Sequence, residues 1–150
     1  MGHLRKANLK DLKHVAKNMR ALDKLEAFYQ SGQEPLQALQ FTYICSKVNM
    51  AIADDNDAPI GLCGVADGGV IWMGATDELF SNKKYKIQLI RKGRKWVDNL
   101  LKKYKILYNF VYVENDSAIK WLKSLGFTFI KYHEHYGLQG KPFYEFLRIA

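Results

Sequence analysis

The chain reads as a mixed α/β layer protein: a largely antiparallel sheet flanked by helices. Three observations lead there. Apolar residues recur at helical spacing near the start and again through residues 85–104. Between those segments lie short β-rich runs joined by polar or glycine turns. The final third follows a strand–helix–strand order. Helices, then a hairpin sheet, then strand–helix–strand units is the order of a mixed α/β layer fold.

The elements follow in order. Residues 4–9 make a poor strand, since charges and an asparagine interrupt any alternation. Residues 11–30 carry Leu12, Val15, Met19, Leu22 and Leu25 at helical spacing, and Ser31-Gly32 stops the run. Pro35 suits the first turn of a second helix over 34–46. Residues 48–53 read as a strand and 54–57 as a polar turn. Residues 60–66 and 70–74 form a hairpin around Gly68-Gly69. Residues 85–104 form a long helix through Leu89, Trp96, Val97, Leu100 and Tyr104. The apolar run 106–113 is a buried strand. Residues 133–141 read as a loop, and 143–149 as a last antiparallel strand.

At 150 residues the chain is expected to form a single domain, 1–150, with a substantial core. A hydrophobic fraction of 48% argues for a folded chain rather than a disordered one. No apolar run approaches the roughly 20 residues that span a bilayer. Met1 to Lys6 has charges but no apolar segment after them, which argues against a signal peptide. Two cysteines, Cys45 and Cys63, suggest a reducing compartment and buried core thiols; no metal site is expected.

The densest local signal runs from Asn115 to Phe127. Asn115 is placed to cap a helix with its side-chain oxygen, and Asp116 follows where the helix dipole favours an acid. Ile119, Leu122 and Leu125 share one face, and Gly126 sits where a left-handed C-cap is needed. Asn115, Ala118, Gly126 and Phe127, in this spacing after a strand, resemble the fourth-helix signature of the GNAT N-acyltransferases. The whole chain resembles small GNAT-like proteins of short-tailed bacteriophages, of the internal virion protein or acetyltransferase type. Residues 34–39 and 71–76 share in that resemblance.

The resemblance implies a GNAT-like sheet with a central parallel strand pair. It also implies acetyl-CoA (coenzyme A) as cofactor and direct attack of an amine on the thioester. The pantetheine would lie between splayed strands 70–74 and 108–113, against the edge amides of Trp72, Met73 and Gly74. Asn115 matches the family's asparagine at the cofactor cleft, although a plain N-cap explains it as well. Asp77 and Glu78, after the first splayed strand, are candidate bases. Glu114, His133 and His135 are further titratable residues. The fourth-helix position that often carries a tyrosine is Leu122, so the thiolate would leave unaided, take its proton from water, or receive it from Tyr108, Tyr112 or a nearby hydroxyl. A second departure is the missing glycine-rich phosphate cradle: residues 76–85 contain no glycine.

Charge is concentrated in one segment. Residues 83–105 hold ten lysines and arginines against one acid, Asp98, for a net of +9; the rest holds 13 bases and 14 acids. Three readings stand open: a solvated helix face, counter-charges for coenzyme A from Lys84 and Arg91, or a contact with nucleic acid or an acidic protein.

Two functional classes follow. One is an acetyl-CoA-dependent N-acyltransferase acting on an amine of a host protein, an RNA or a small molecule. The alternative is a GNAT-fold virion or host-interaction protein without catalysis. Both place the chain in the host cytoplasm, with the virion as the other location; no membrane partner is implied.

Overall fold

The computed structural model describes residues 2–150, so Met1 lies outside it. Among these residues seven strands form one sheet. They are β1 (His3–Lys6), β2 (Ser46–Ala53), β3 (Pro59–Ala66), β4 (Val70–Ala75), β5 (Ile106–Tyr112), β6 (Thr128–Tyr136) and β7 (Lys141–Ile149), in the order β1-β2-β3-β4-β5-β7-β6. Every neighbouring pair is antiparallel except β4–β5, which is parallel. The expected central parallel pair is therefore present.

Helices α1 (Leu9–Lys17), α2 (Ala21–Ser31) and α3 (Pro35–Cys45) precede β2. The short α4 (Asp77–Ser81) and long α5 (Lys83–Tyr104) link β4 to β5, and α6 (Asp116–Ser124) follows β5. Two cores result. Leu12, Val15, Met19 and Leu39 pack with Ala51 and Leu62, whereas Leu89, Val97, Leu100, Trp121 and Leu125 pack with Val65, Leu107 and Phe146. Adjacent strand residues such as Ala51 and Ile52 belong to different cores, as the period-2 alternation of a strand requires.

The C-terminal motif closes as its sequence implies. Gly126 has φ 87°, Phe127 N–H donates to Leu122 C=O, and Gly126 N–H donates to Lys123 C=O. These are the two bonds of a Schellman stop. In α5 the buried stripe is Tyr85, Leu89, Gly93, Val97, Leu100 and Leu101, with Trp96 only partly buried at its edge.

Three elements differ from the sequence expectation. Residues 3–6 do form a strand: β1 pairs in register with β2, and Arg5 is tied to Asp11 and Asp57. Main-chain pairing and ion pairs replace the missing apolar alternation. The single helix expected over 11–30 is two helices, broken at residues 18–20. Asn18 caps α1 through His14 C=O, Met19 forms a β-bridge with Thr76, and Arg20 N–H donates to Ala75 C=O at 2.9 Å. No glycine or proline marks this break; bonding to the end of β4 imposes it. The loop expected over 133–141 is mostly strand. β6 continues to Tyr136, and the turn after it uses Gly137 (φ 74°) and Gly140 (φ 62°). That turn docks on the end of α2, where Leu138 and Gln139 N–H groups satisfy the Gln30 and Tyr29 carbonyls.

Candidate functional site

Strands β4 and β5 meet at one register pair, Val70 with Tyr108, and then diverge. The opening between them is a cleft of about 470 Å³. Its apolar walls include Met73, Phe110, Trp121 and Leu122, with Phe41 of α3 on one side and Glu26 of α2 reaching in. A splayed parallel pair ought to leave two rows of unpaired backbone groups. Here most of them are satisfied from within the chain.

Tyr108 N–H donates to Gly69 C=O, so Gly69 and, by strand alternation, Ile71, Met73 and Ala75 turn their backbone groups toward the splay. Asn109 Nδ2 donates to Ile71 C=O at 2.6 Å, and its Oδ1 accepts from Phe110 N–H at 2.7 Å. Ala75 N–H donates to Asp23 Oδ2 at 3.0 Å, and Ala75 C=O accepts from Arg20 N–H. Across the opening, Tyr112 N–H donates to Glu26 Oε1 at 2.6 Å. Among the described residues this leaves Met73 as the β4 residue whose N–H and C=O face the splay without a partner.

The far end of the splay is sealed by a buried polar cluster. Arg20 is 7% exposed, Asp23 8% and Asn115 0%. Arg20 Nη1 donates to Asp23 Oδ1 at 3.0 Å and Nη2 to Asn115 Oδ1 at 3.3 Å, while the guanidinium lies over the Phe80 ring at 4.5 Å. Asn115 Nδ2 donates to Asp23 Oδ1 at 3.2 Å. Burial pushes the Asp23 carboxyl up, and the Arg20 charge with the Ala75 and Asn115 donors opposes that rise. Three donors converge on Asp23, which makes it the anion that pairs with Arg20. Glu26, one turn on, is pushed up to about 8 by burial first and by the neighbouring Asp23 charge second. Its carboxyl is the proton-holding member of the pair near neutral pH.

The residues singled out in the sequence distribute unevenly. Trp72, Met73 and Gly74 line the cleft. In the β3–β4 register, however, Trp72 and Gly74 alternate with Met73 and turn their backbone groups to β3, so Met73 alone presents them to the opening. Trp72 Nε1 donates to Ser46 Oγ. Asn115 makes no side-chain cap for α6, contrary to the N-cap expectation, because its amide is committed to Arg20 and Asp23. Tyr112 is buried; its hydroxyl donates to Glu114, which with burial pushes its pKa up to about 12. Asp77 and Glu78 are exposed in the first turn of α4 and do not line the cleft. Lys84 pairs with Asp55, and Arg91 is exposed on α5; neither lines the cleft. His133 and His135 lie on β6, with His133 Nε2 2.8 Å from Glu145 Oε1.

Arg20, Asp23, Glu26 and Asn109 went unnoticed in the sequence. A signal existed: Asp23 and Glu26 follow Met19 at i+4 and i+7, so two acids share a helical face with a core methionine.

Of the β4 backbone groups that face the opening, those of Ile71 and Ala75 are held by Asn109, Asp23 and Arg20, while those of Met73 stay free. Residues 76–85 offer no glycine for close approach of a pyrophosphate, and Lys84 and Arg91 do not converge on the cleft.

Comparison with known proteins agrees on architecture. The structure is similar to a spermidine N-acetyltransferase from Vibrio cholerae solved with CoA and spermine (TM-score 0.68, 16% identity, 99% of this chain and 95% of that one). It is similar to the ribosomal-protein-S18-alanine N-acetyltransferase of Escherichia coli (0.67, 12%, 99% and 94%). It is also similar to a GNAT-family acetyltransferase from Bacillus anthracis (0.66, 12%, 99% and 94%). At these identities the likeness establishes the GNAT fold. No curated protein sequence matches. A family model described as "Bacteriophage T7, probable scaffold protein Gp13" matches residues 50–136.

Proposed function

The chain belongs to the family of the bacteriophage T7 probable scaffold protein Gp13, and on that premise we propose that it is a phage assembly protein that keeps the GNAT fold as a structural and interaction module, without acyl-CoA turnover. One observation carries the reading. The splayed strand edges, which an acyl-CoA-dependent relative would offer to its cofactor, are engaged by the side chains of Asp23, Asn109 and Glu26 and by the main chain of Arg20. A fold whose splayed strand edges are largely occupied by its own polar groups serves as scaffold; fold does not dictate function. Such a protein acts in the host cytoplasm while particles assemble and travels with the particle or its precursor.

The competing reading is acetyl-CoA-dependent transfer to an amine of a host protein, an RNA or a small molecule. It has one observation in its favour. Glu26 is a cleft carboxyl with a pKa near 8, close enough to neutral pH for it to exchange a proton with a bound group.

A single complementation experiment separates the two. In a phage lacking this gene, the wild-type chain and Glu26→Gln are expected to restore particle yield equally, with the chain found in purified particles or procapsids. Purified protein is expected to release no thiol from acetyl-CoA in the presence of amines. Failure of a folded Glu26→Gln protein to complement, with thiol release by the wild type, would replace the assembly reading with the enzymatic one.

A further inference from the structure

The two helical layers divide surface character between them. Phe28, Phe41 and Ile44 are large exposed apolar side chains of α2 and α3 (43%, 61% and 81% exposed), whereas α5 and α6 expose one, Ile87. The positive excess sits on α5, and α6 adds Lys120 and Lys123 against Asp116.

Within α5 the cations are ordered. Lys84, Arg91, Lys95 and Lys102 are separated by 7, 4 and 7 residues. At 3.6 residues per turn they fall within about 40° of one line along the helix. That line is opposite the buried stripe of Leu89, Gly93, Val97 and Leu100, so it forms the solvent ridge. All four are exposed. Lys84 is paired with Asp55, but among the described residues Arg91, Lys95 and Lys102 have no ion-pair partner. The one acid of the helix, Asp98, is held by Arg148 at 2.6 Å and so does not neutralise the ridge. Lys120 and Lys123 are also exposed, on α6.

We infer that this α5 ridge binds the sugar-phosphate backbone of duplex nucleic acid without reading its sequence. Three features favour that partner over an acidic protein or a single strand. Protein interfaces are depleted in lysine and built around apolar and aromatic anchors; this face is lysine-rich and offers only Ile87. Single-strand binders provide aromatic platforms for bases; none of the rings on α5 or α6, Tyr85, Trp96, Tyr104 and Trp121, is exposed. The helix has 22 residues, about 33 Å at 1.5 Å per residue, close to the roughly 34 Å of one duplex turn. Lysines and arginines set along that length match a row of phosphates, and contacts of this kind position a protein without specifying bases.

The test is fluorescence anisotropy with a labelled 30-base-pair duplex of arbitrary sequence, titrated with the full chain between 50 and 200 mM salt. If three to four phosphates are neutralised, affinity falls by roughly 40–150-fold across that range. The ridge variant Arg91→Glu/Lys95→Glu/Lys102→Glu is expected to lose binding. Lys13→Glu/Lys17→Glu/Lys24→Glu, with the same change in net charge on α1 and α2, is expected to stay within about threefold of wild type. Neutralising the ridge instead with Arg91→Gln/Lys95→Gln/Lys102→Gln should lower the salt slope by about one per residue, and a matching far-UV melt shows the fold is intact. No binding at 50 mM salt would overturn the inference. So would equal losses in the two reversal variants, which would indicate net charge alone. Displacement by polyglutamate as effective as by unlabelled duplex would indicate an acidic protein partner and overturn it as well.

Discussion

The two parts of the splay between β4 and β5 are built from opposite materials. At the Ala75–Tyr112 end, an arginine, two carboxyls and an asparagine from α2 and its approach and from the start of α6 bind one another and the strand edges. Midway along, the cleft is apolar, and Met73 keeps its backbone groups free. Sealing one end and leaving the middle open separates two properties that an acyl-CoA enzyme combines. The polar end gives the N-terminal helices a fixed attachment to the sheet. The apolar part leaves an open cavity of about 470 Å³ between the strands.

The largest effect is expected from Asp23→Ala. It strands the Arg20 guanidinium and the Ala75 N–H in a buried setting, and removing one partner of a buried pair costs about 3–5 kcal/mol. Chemical denaturation measures it. Adding Arg20→Met removes the stranded charge, so the double variant should be more stable than Asp23→Ala alone. If instead the two losses add, the cluster is not coupled.

On the apolar side, Trp121→Ala removes a ring that both lines the cleft and packs in the core with Leu125 and Leu122. A cost of about 3–4 kcal/mol is expected. A much smaller loss would mean that the cleft tolerates collapse around that position.

Glu26 links the two parts and has a pH signature. Its folded pKa is raised to about 8, above the unfolded carboxyl, so the folded state binds the extra proton between about 4.5 and 8. Stability contributed by that proton is present at low pH and is lost as pH rises through this window. Glu26→Gln should therefore flatten the pH profile and be more stable than wild type at pH 8, by about 4 kcal/mol, with little difference at pH 4.5. A wild-type profile that rises from pH 5 to 8 would contradict the assignment. The smallest effect belongs to Lys84→Ala: the Lys84–Asp55 pair is solvent-exposed, and no measurable change in Tm is expected.

Legibility follows the same divide. The apolar and glycine-marked features could be read from the chain: the α5 stripe, the Gly68-Gly69 hairpin and the stop at Gly126 all depend on local spacing. The polar end could not. Arg20, Asp23 and Asn115 meet across more than 90 residues of sequence, and Asn115 looked like a cap because its local pattern is that of a cap. The break between α1 and α2 comes from hydrogen bonds to β4, with no residue nearby that disfavours a helix. β1 exists because β2 offers it an edge. Trp72, Met73 and Gly74 lie at the opening between the splayed strands. Which of their backbone groups stay free depended on the β3–β4 register.

Most of the splay is satisfied from within the chain. Amide hydrogen exchange followed by NMR tests it most directly, since exchange reports the partner of each N–H. Slow exchange is expected at Ala75, Phe110 and Tyr112, fast exchange at Met73, and no saturable shift of any of the four on adding millimolar acetyl-CoA. Fast exchange at Ala75 and Tyr112, or saturable shifts along residues 71–75 with acetyl-CoA, would contradict it.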